Sequence, residues 1–274
     1  QHSHHDTPCA FLPPQSLGNC QNLIRILLKF AILLLCSSIR CMILSFLFRL
    51  LSERQYMTTI LLVRHAVNDF VKAGKLAGWT PGVHLNDEGK AQAEALGKRL
   101  ADAPLRQLYA SPLERTMETA EAIQQHHPHL HIKTNEQIGE VRYGDWEGQS
   151  IAALSGRKMW QVVQQYPSRA VFPNGEAMRD VQIRAVNAIE QMVTAHPREM
   201  VAVVSHADLI KMVLAHYLGM HLDQFQRLVV APASISALEL GHSRPYIASM
   251  NDMAHVTQME RERKQQKEQD AKQG

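Results

Sequence analysis

Two short apolar runs end on paired polar residues that are costly to bury. "ILLV" runs directly into Arg64 and His65, and "MVAVV" runs through Ser205 into His206. An imidazole is the side chain that serves as nucleophile or proton shuttle near neutral pH. A guanidinium holds phosphate or carboxylate bidentately. A third cation, Arg115, lies in "YASPLERTMETA" (residues 109–120), early in a predicted helix, where the positive end of the macrodipole opposes it. An anion bound at that point would remove the conflict. In the same stretch Ser111 reads as an N-cap, with Pro112 at the first helical position and Glu114 completing a capping box. "IGEVRYGDWEGQS" (138–150) adds Glu140, Asp145 and Glu147 in a loop, and one of them is a candidate proton donor.

The elements that must position these groups follow from the hydrophobic pattern. β-rich runs fall at Thr59 to Val63, Gln107 to Tyr109, Leu130 to Lys133, Met200 to Ser205 and Ile235 to Leu240. Helical stretches fall at Asp87 to Ala101, Pro112 to Gln125, Ser150 to Gln165, Glu176 to Ala195 and Asp208 to Leu218. Asn86 and Ser150 read as N-caps. Strands alternating with helices of this length predict an α/β three-layer sandwich, a mainly parallel central sheet with helices on both faces. In such sheets ligands bind beyond the carboxyl ends of the strands, which is where His65 and His206 fall.

"LLVRHA", "SPLERTMETA", "GEVRYGDWEG" and "VVSHADL", with "LAGWTPGVHLNDEGKAQAEALGKRL" between the first two, resemble in order and spacing the histidine phosphatase superfamily, which includes the cofactor-dependent phosphoglycerate mutases. The resemblance spans residues 58 to about 250. It implies that His65 accepts the phosphoryl group, that Arg64 and Arg115 clamp it, that His206 is the second pocket histidine and that Glu140 is the general acid. Substrate contacts are expected from Asn68, Gly78, Trp79 and Ala207. The chain departs from the family pattern at Ala66, where glycine is common, and at Val71, where a polar residue is common. Asn68 is a candidate to replace that polar contact, or an ordinary turn residue. Ala66 requires a turn with negative φ.

The expected activity is hydrolysis of a small phosphomonoester without a cofactor or metal. A phosphoglycerate-type mutase and a non-catalytic phosphate-binding or membrane-associated scaffold are the alternatives. Only 66 positions separate Glu140 from His206, fewer than mutases of the family usually carry there, and a shorter cover favours hydrolysis. "HHPHLH" (126–131) suggests a metal site, but Pro128 and the absence of cysteine make convergent ligands unexpected. Trp79 and Trp146 are read as pocket-mouth residues or packing anchors.

A net charge of +3 with interspersed signs lacks the footprint of nucleic-acid binding. All four cysteines and four of the seven phenylalanines precede Met57, so residues 1–56 differ in character from the 218 after them. The cysteine-free body fits a reducing, cytoplasmic setting. Residues 22–51 are very apolar but carry Arg25, Lys29, Arg40 and Arg49, which argues against a clean membrane span. Residues 1–56 are read as upstream sequence ahead of a natural start at Met57; a signal-like leader or a membrane-surface anchor are the other readings. Membrane association is expected only if that extension is retained. The phosphatase-like domain is placed at 57–253 and a charged tail, helical or disordered, at 254–274. A homodimer is possible within these expectations.

Overall fold

A computed structural model describes residues 57–241 and 244–273. The extension read as leader, anchor or upstream sequence lies outside the described residues.

Strand β1 (Met57–Arg64) is followed by a single-turn helix α1 (Asp69–Lys72) and by α2 (Asp87–Leu100). Then come β2 (Leu105–Ala110), α3 (Glu114–Gln124) and the short β3 (Ile132–Thr134). Two short helices, α4 (Ile151–Ser155) and α5 (Lys158–Gln165), precede the long α6 (Met178–Ala195). The chain continues through β4 (Met200–Ser205), α7 (Ala207–Tyr217), β5 (Ile235–Gly241), β6 (Tyr246–Asp252) and α8 (Ala254–Gln273). One six-stranded sheet results, ordered β3-β2-β4-β1-β5-β6. Its first four strands are parallel, and β5 and β6 extend it antiparallel.

Side chains of a strand alternate between faces, and β1 shows what that does when both faces are covered. Ile60 and Leu62 pack with Val201, Val203 and the inner faces of α6 and α7, including Val181, Ile189, Ile210 and Met212. Leu61 and Val63 pack with Ala202, Val204 and residues of α2 and α3, among them Leu96, Ala120 and Ile123. The continuous apolar run in the sequence is thus a strand buried on both sides. Each such side chain contributes roughly 1.5–3 kcal/mol of burial. β1 is therefore a rigid base for the residues at its carboxyl end.

Several local predictions match. Asn86 Oδ1 accepts from Gly89 N at 2.9 Å and Ser150 Oγ from Ala153 N at 3.2 Å, so both start helices as N-caps. The stretch read as one helix from Ser150 to Gln165 is two, broken at Gly156 and Arg157. Strand β6 has no counterpart among the predicted strands: it is a half-exposed edge whose burial does not alternate. The C-terminal stretch is helical, and its first turn docks: Val256 is buried against Ala66, Leu85 and Ala93, while His255 Nε2 donates to the Ala233 carbonyl at 2.9 Å. Among the described residues no helix is long and apolar enough to cross a membrane.

Candidate active site

Strand register explains how distant motifs meet. Arg64 pairs with Ser205 and Ala110 with Val204, so the residues just past β1, β2 and β4 are neighbours. The ladder continues one step beyond the strands, with His65 N donating to Ser205 O at 2.9 Å and Ser111 N to Val204 O at 3.0 Å. His65, Ser111 and His206 therefore come together at the carboxyl edge of the sheet, and the two imidazole centroids are 5.3 Å apart.

Both rings are buried. His65 Nδ1 lies 2.8 Å from its neighbour's carbonyl, Ala66 O, which fixes that nitrogen as the N–H donor and leaves Nε2 with a free lone pair. His206 Nδ1 lies 3.3 Å from the Arg115 guanidinium, which can only donate; Nε2–H of His206 then donates to Ser111 Oγ at 2.9 Å. Burial, then the charges of Arg115 and Arg64, hold His65 well below the ordinary histidine range. Burial and Arg115 do the same to His206. Both are neutral near pH 7.

Arg64 donates to the Val230 carbonyl at 2.8 Å and Arg115 to the Gly78 carbonyl at 2.8 Å. Arg64 Nε, Arg115 Nε and Nη1 and Asn68 Nδ2 are buried donors without a hydrogen-bond partner. All three residues line one cavity of about 390 Å³ together with His65, Glu140 and Ala207. Four unpaired buried donors, at roughly 1–3 kcal/mol each, are a cost the fold tolerates in one place. They converge where an oxyanion would be bound. Asn68 Oδ1 accepts from Val71 N at 2.9 Å and caps α1, while its amide nitrogen is buried without a partner in a residue that lines the cavity.

Glu140 Oε1 accepts from Val141 N at 3.0 Å and Oε2 lies 3.8 Å from His206 Nδ1. Burial, followed by the negative charge of Asp208, raises its carboxyl to about 7. Asp208 accepts from Tyr143 OH at 3.0 Å, and burial with Asp208 pushes that phenol well above its usual range. The loop carrying Glu140 is held from behind. Arg184 donates to the carbonyls of Gln137, Gly139 and Glu140 at 2.6, 3.0 and 3.0 Å while paired with Glu176 at 2.9 Å. Trp79 Nε1 donates to the same Glu140 carbonyl at 2.7 Å, and the Arg142 guanidinium lies 3.7 Å from the Trp79 ring centre.

Some sequence expectations need correction. Ser111 is not an N-cap: Pro112 and Leu113 stay outside the helix, α3 starts at Glu114 with Leu113 at its cap position, and Ser111 serves His206 instead. Glu114 does not close a capping box; its carboxylate accepts from Gly82 N at 2.9 Å, in the loop that presents Gly78. Gly78 and Trp79 do not line the cavity, and they support Arg115 and Glu140 from outside it. Gly78 adopts φ +51°, and a Cβ there would collide with Glu147. Trp146 is buried and also lines the cavity. Asp145 is bonded to Asn174 at 3.0 Å and is not among the cavity residues. Ala66 is not among the positive-φ residues, and its N–H donates to Thr119 Oγ1 at 3.1 Å, so alanine fits the turn. In "HHPHLH", His127 is buried against the Leu100 carbonyl at 2.8 Å. Sequence reasoning missed Ser111, Tyr143, Asp208 and Arg184 as partners of the site.

Residues 60–253 match the family model of the histidine phosphatase superfamily (branch 1). Phosphoserine phosphatase 1 of Hydrogenobacter thermophilus is 27% identical over 205 residues, covering 73% of this chain and 95% of that protein. A probable phosphoglycerate mutase, GpmB of Proteus mirabilis, is 26% identical over 210 residues, covering 73% and 96%. The solved structure of Bacillus stearothermophilus YhfR superposes with a TM-score of 0.69 at 28% identity, covering 73% of this chain and 99% of that one. The match spans every element that builds the cavity's phosphate-facing end, and the chain belongs to the histidine phosphatase superfamily, branch 1.

Proposed function

We propose that the protein hydrolyses small phosphomonoesters through a phosphohistidine on His65. One observation carries this reading: a buried neutral imidazole with its Nε2 free stands among the unpaired donors of Arg64, Arg115 and Asn68. In the first step Nε2 attacks phosphorus in line, the N–P bond forms as the ester P–O bond breaks, and the Glu140 proton goes to the leaving oxygen. The guanidiniums and the Asn68 amide take up charge on the equatorial oxygens, and His206, bonded to Ser111 and next to Arg115, stands behind them rather than in the cavity lining. In the second step the Glu140 carboxylate removes a proton from water, the new O–P bond forms, N–P breaks and phosphate leaves. No metal or cofactor is required by this scheme.

The short stretch between Glu140 and His206, which holds α4, α5, α6 and β4, favours release to water over transfer to a second substrate. A cytoplasmic, reducing setting belongs to the same reading, supported by a body without cysteine. Residues 1–56 are the part through which membrane association would arise.

Phosphate release from 4-nitrophenyl phosphate and a panel of phosphorylated metabolites tests the proposal. His65→Ala should lower the rate on the order of 10⁴-fold or more, and rapid acid-labile ³²P labelling of the wild type should disappear in the variant. Equal rates for the two proteins would remove the nucleophile assignment. Isomerisation of 3-phosphoglycerate, primed with its bisphosphate and faster than phosphate release, would replace hydrolysis with the mutase reading.

A further inference from the structure

Successive carbonyls lead up to the acid, and side chains take each of them. Arg184 on α6 donates to those of Gln137, Gly139 and Glu140, and Ser205 Oγ donates to that of Ile138 at 2.7 Å. Trp79 shares the Glu140 carbonyl. The stretch lies outside every strand, in and just after a 3₁₀ turn (Glu136–Ile138), so its place is set by these donors.

The Arg184 guanidinium is fully used. Besides the three carbonyls, Nε and Nη2 donate to Glu176 Oε1 and Oε2 at 2.9 and 3.0 Å, which accounts for all five of its N–H groups. Arg64 and Arg115 keep unpaired donors for an anion, whereas Arg184 is matched in charge by Glu176 and is not among the cavity residues. Glu176 Oε2 also accepts from Arg142 N at 2.9 Å, so the pair grips the chain on both sides of Glu140.

This clamp links the acid to the nucleophile. Val181, Ala185 and Ile189 bury α6 in the same cluster as Ile60 and Leu62 of β1, the strand that delivers His65. Glu140 Oε1 is tied to the next backbone N–H, so the carboxyl follows wherever the backbone goes. A misplacement of about 1 Å can cost on the order of 10²-fold in rate.

We propose that Arg184, through its pair with Glu176, is a positioning residue for proton transfer: it fixes the backbone from Gln137 to Glu140 so that the Glu140 carboxyl reaches the leaving oxygen. The inference rests on the phosphatase reading of the same cavity.

The test measures kcat/KM, which reports phosphorylation of His65, against leaving-group basicity from 4-nitrophenyl phosphate through phenyl phosphate to alkyl phosphates. The wild type should depend weakly on the leaving group, because the acid protonates the poor ones. In Arg184→Met the dependence should steepen, with losses of about 10- to 10²-fold on alkyl phosphates and within about twofold on 4-nitrophenyl phosphate. Arg184→Lys keeps the charge beside Glu176 but has one nitrogen in place of three, and should fall between. Placed in Glu140→Gln, Arg184→Met should add less than about a further twofold, since the proton it positions is gone. A wild-type slope in Arg184→Met, a uniform loss on every substrate, or losses that multiply in full in the Glu140→Gln background each overturn the inference. Should Arg184→Met not fold, Arg184→Lys takes its place in both comparisons. If 4-nitrophenyl phosphate is cleaved independently of His65, the phosphatase reading falls and this inference with it. If cleavage depends on His65 and the slope does not change, only this inference falls.

Discussion

The two ends of the cavity are built differently. At the phosphoryl end the two histidines sit one residue past a strand and one arginine in the first turn of a helix: His65 after β1, His206 after β4, Arg115 in α3. Those strands are paired on both sides and buried on both faces, so side-chain position there is inherited from the sheet. At the cover end, α4 and α5 are five and eight residues long, and Ile151 and Tyr166 are exposed. Helices this short have little stability of their own and rest on packing such as the Trp146–Trp160 stack, with centroids 6.1 Å apart. Chemistry that must be common to every substrate is anchored in the sheet. Discrimination between substrates is left to elements that can vary without disturbing it.

A substitution at the sheet-anchored end should therefore lower all substrates together. Arg115→Met should reduce kcat/KM by about 10³-fold for every phosphomonoester cleaved, the scale of removing a guanidinium from a transferring phosphoryl group. The same change replaces a buried cation with two unpaired nitrogens by an apolar side chain, so thermal unfolding should show no loss of stability and a modest gain. Lost activity accompanied by a large drop in melting temperature would instead make Arg115 a structural residue. Unequal losses across substrates would break the division between the two ends.

Glu140 sharpens the comparison through pH. Its carboxyl titrates near 7 and His65 well below its usual range, so kcat/KM should have a basic limb near pH 7 from loss of the acid's proton. The acidic limb, from protonation of the nucleophile, should lie below the ordinary histidine value. Glu140→Gln should abolish the basic limb and cost about 10²-fold or more on alkyl phosphates, with a smaller loss on 4-nitrophenyl phosphate, whose leaving group needs little protonation. Stability should move oppositely. The folded protein keeps a proton to about pH 7 that the unfolded chain releases near 4.5, so this group's contribution is fully favourable below 4.5 and is lost as pH rises to 7. Glu140→Gln should thus be more stable than wild type at pH 8 in urea unfolding, with the gap closing toward pH 4.

How legible each end was in the sequence depends on the same division. The apolar runs into Arg64–His65 and Ser205–His206 showed strands and their ends, because burial on both faces leaves an unbroken hydrophobic signature. Asn86 and Ser150 were readable as caps because capping is settled within four residues. Ser111 had the same local signature and a different fate. Its hydroxyl is claimed by His206, 95 positions away, and local pattern cannot register that competition. Arg184, Tyr143 and Asp208 were invisible for a related reason: each looks like an ordinary helix or loop residue, and its role lies in partners 44 and 65 positions distant. The break at Gly156 and the edge strand β6 carry weak periodicity because both are only partly buried.

The smallest effect is expected at the cover. Trp160 is half-buried, stacks on Trp146 and lines the cavity on a short helix apart from the sheet-anchored residues, so Trp160→Ala should leave the phosphoenzyme chemistry in place. Loss of one aromatic contact is worth roughly 0.5–1.5 kcal/mol, or about two- to tenfold in KM. The change should be uneven, larger for substrates whose carbon skeleton rests on that wall and near unity for inorganic phosphate as a product inhibitor, which occupies only the phosphoryl end. Steady-state KM values for several phosphomonoesters, set beside the phosphate inhibition constant, measure this directly. A parallel rise in the phosphate constant would mean that the cover also positions the arginines, and the two ends would then have to be treated as one unit.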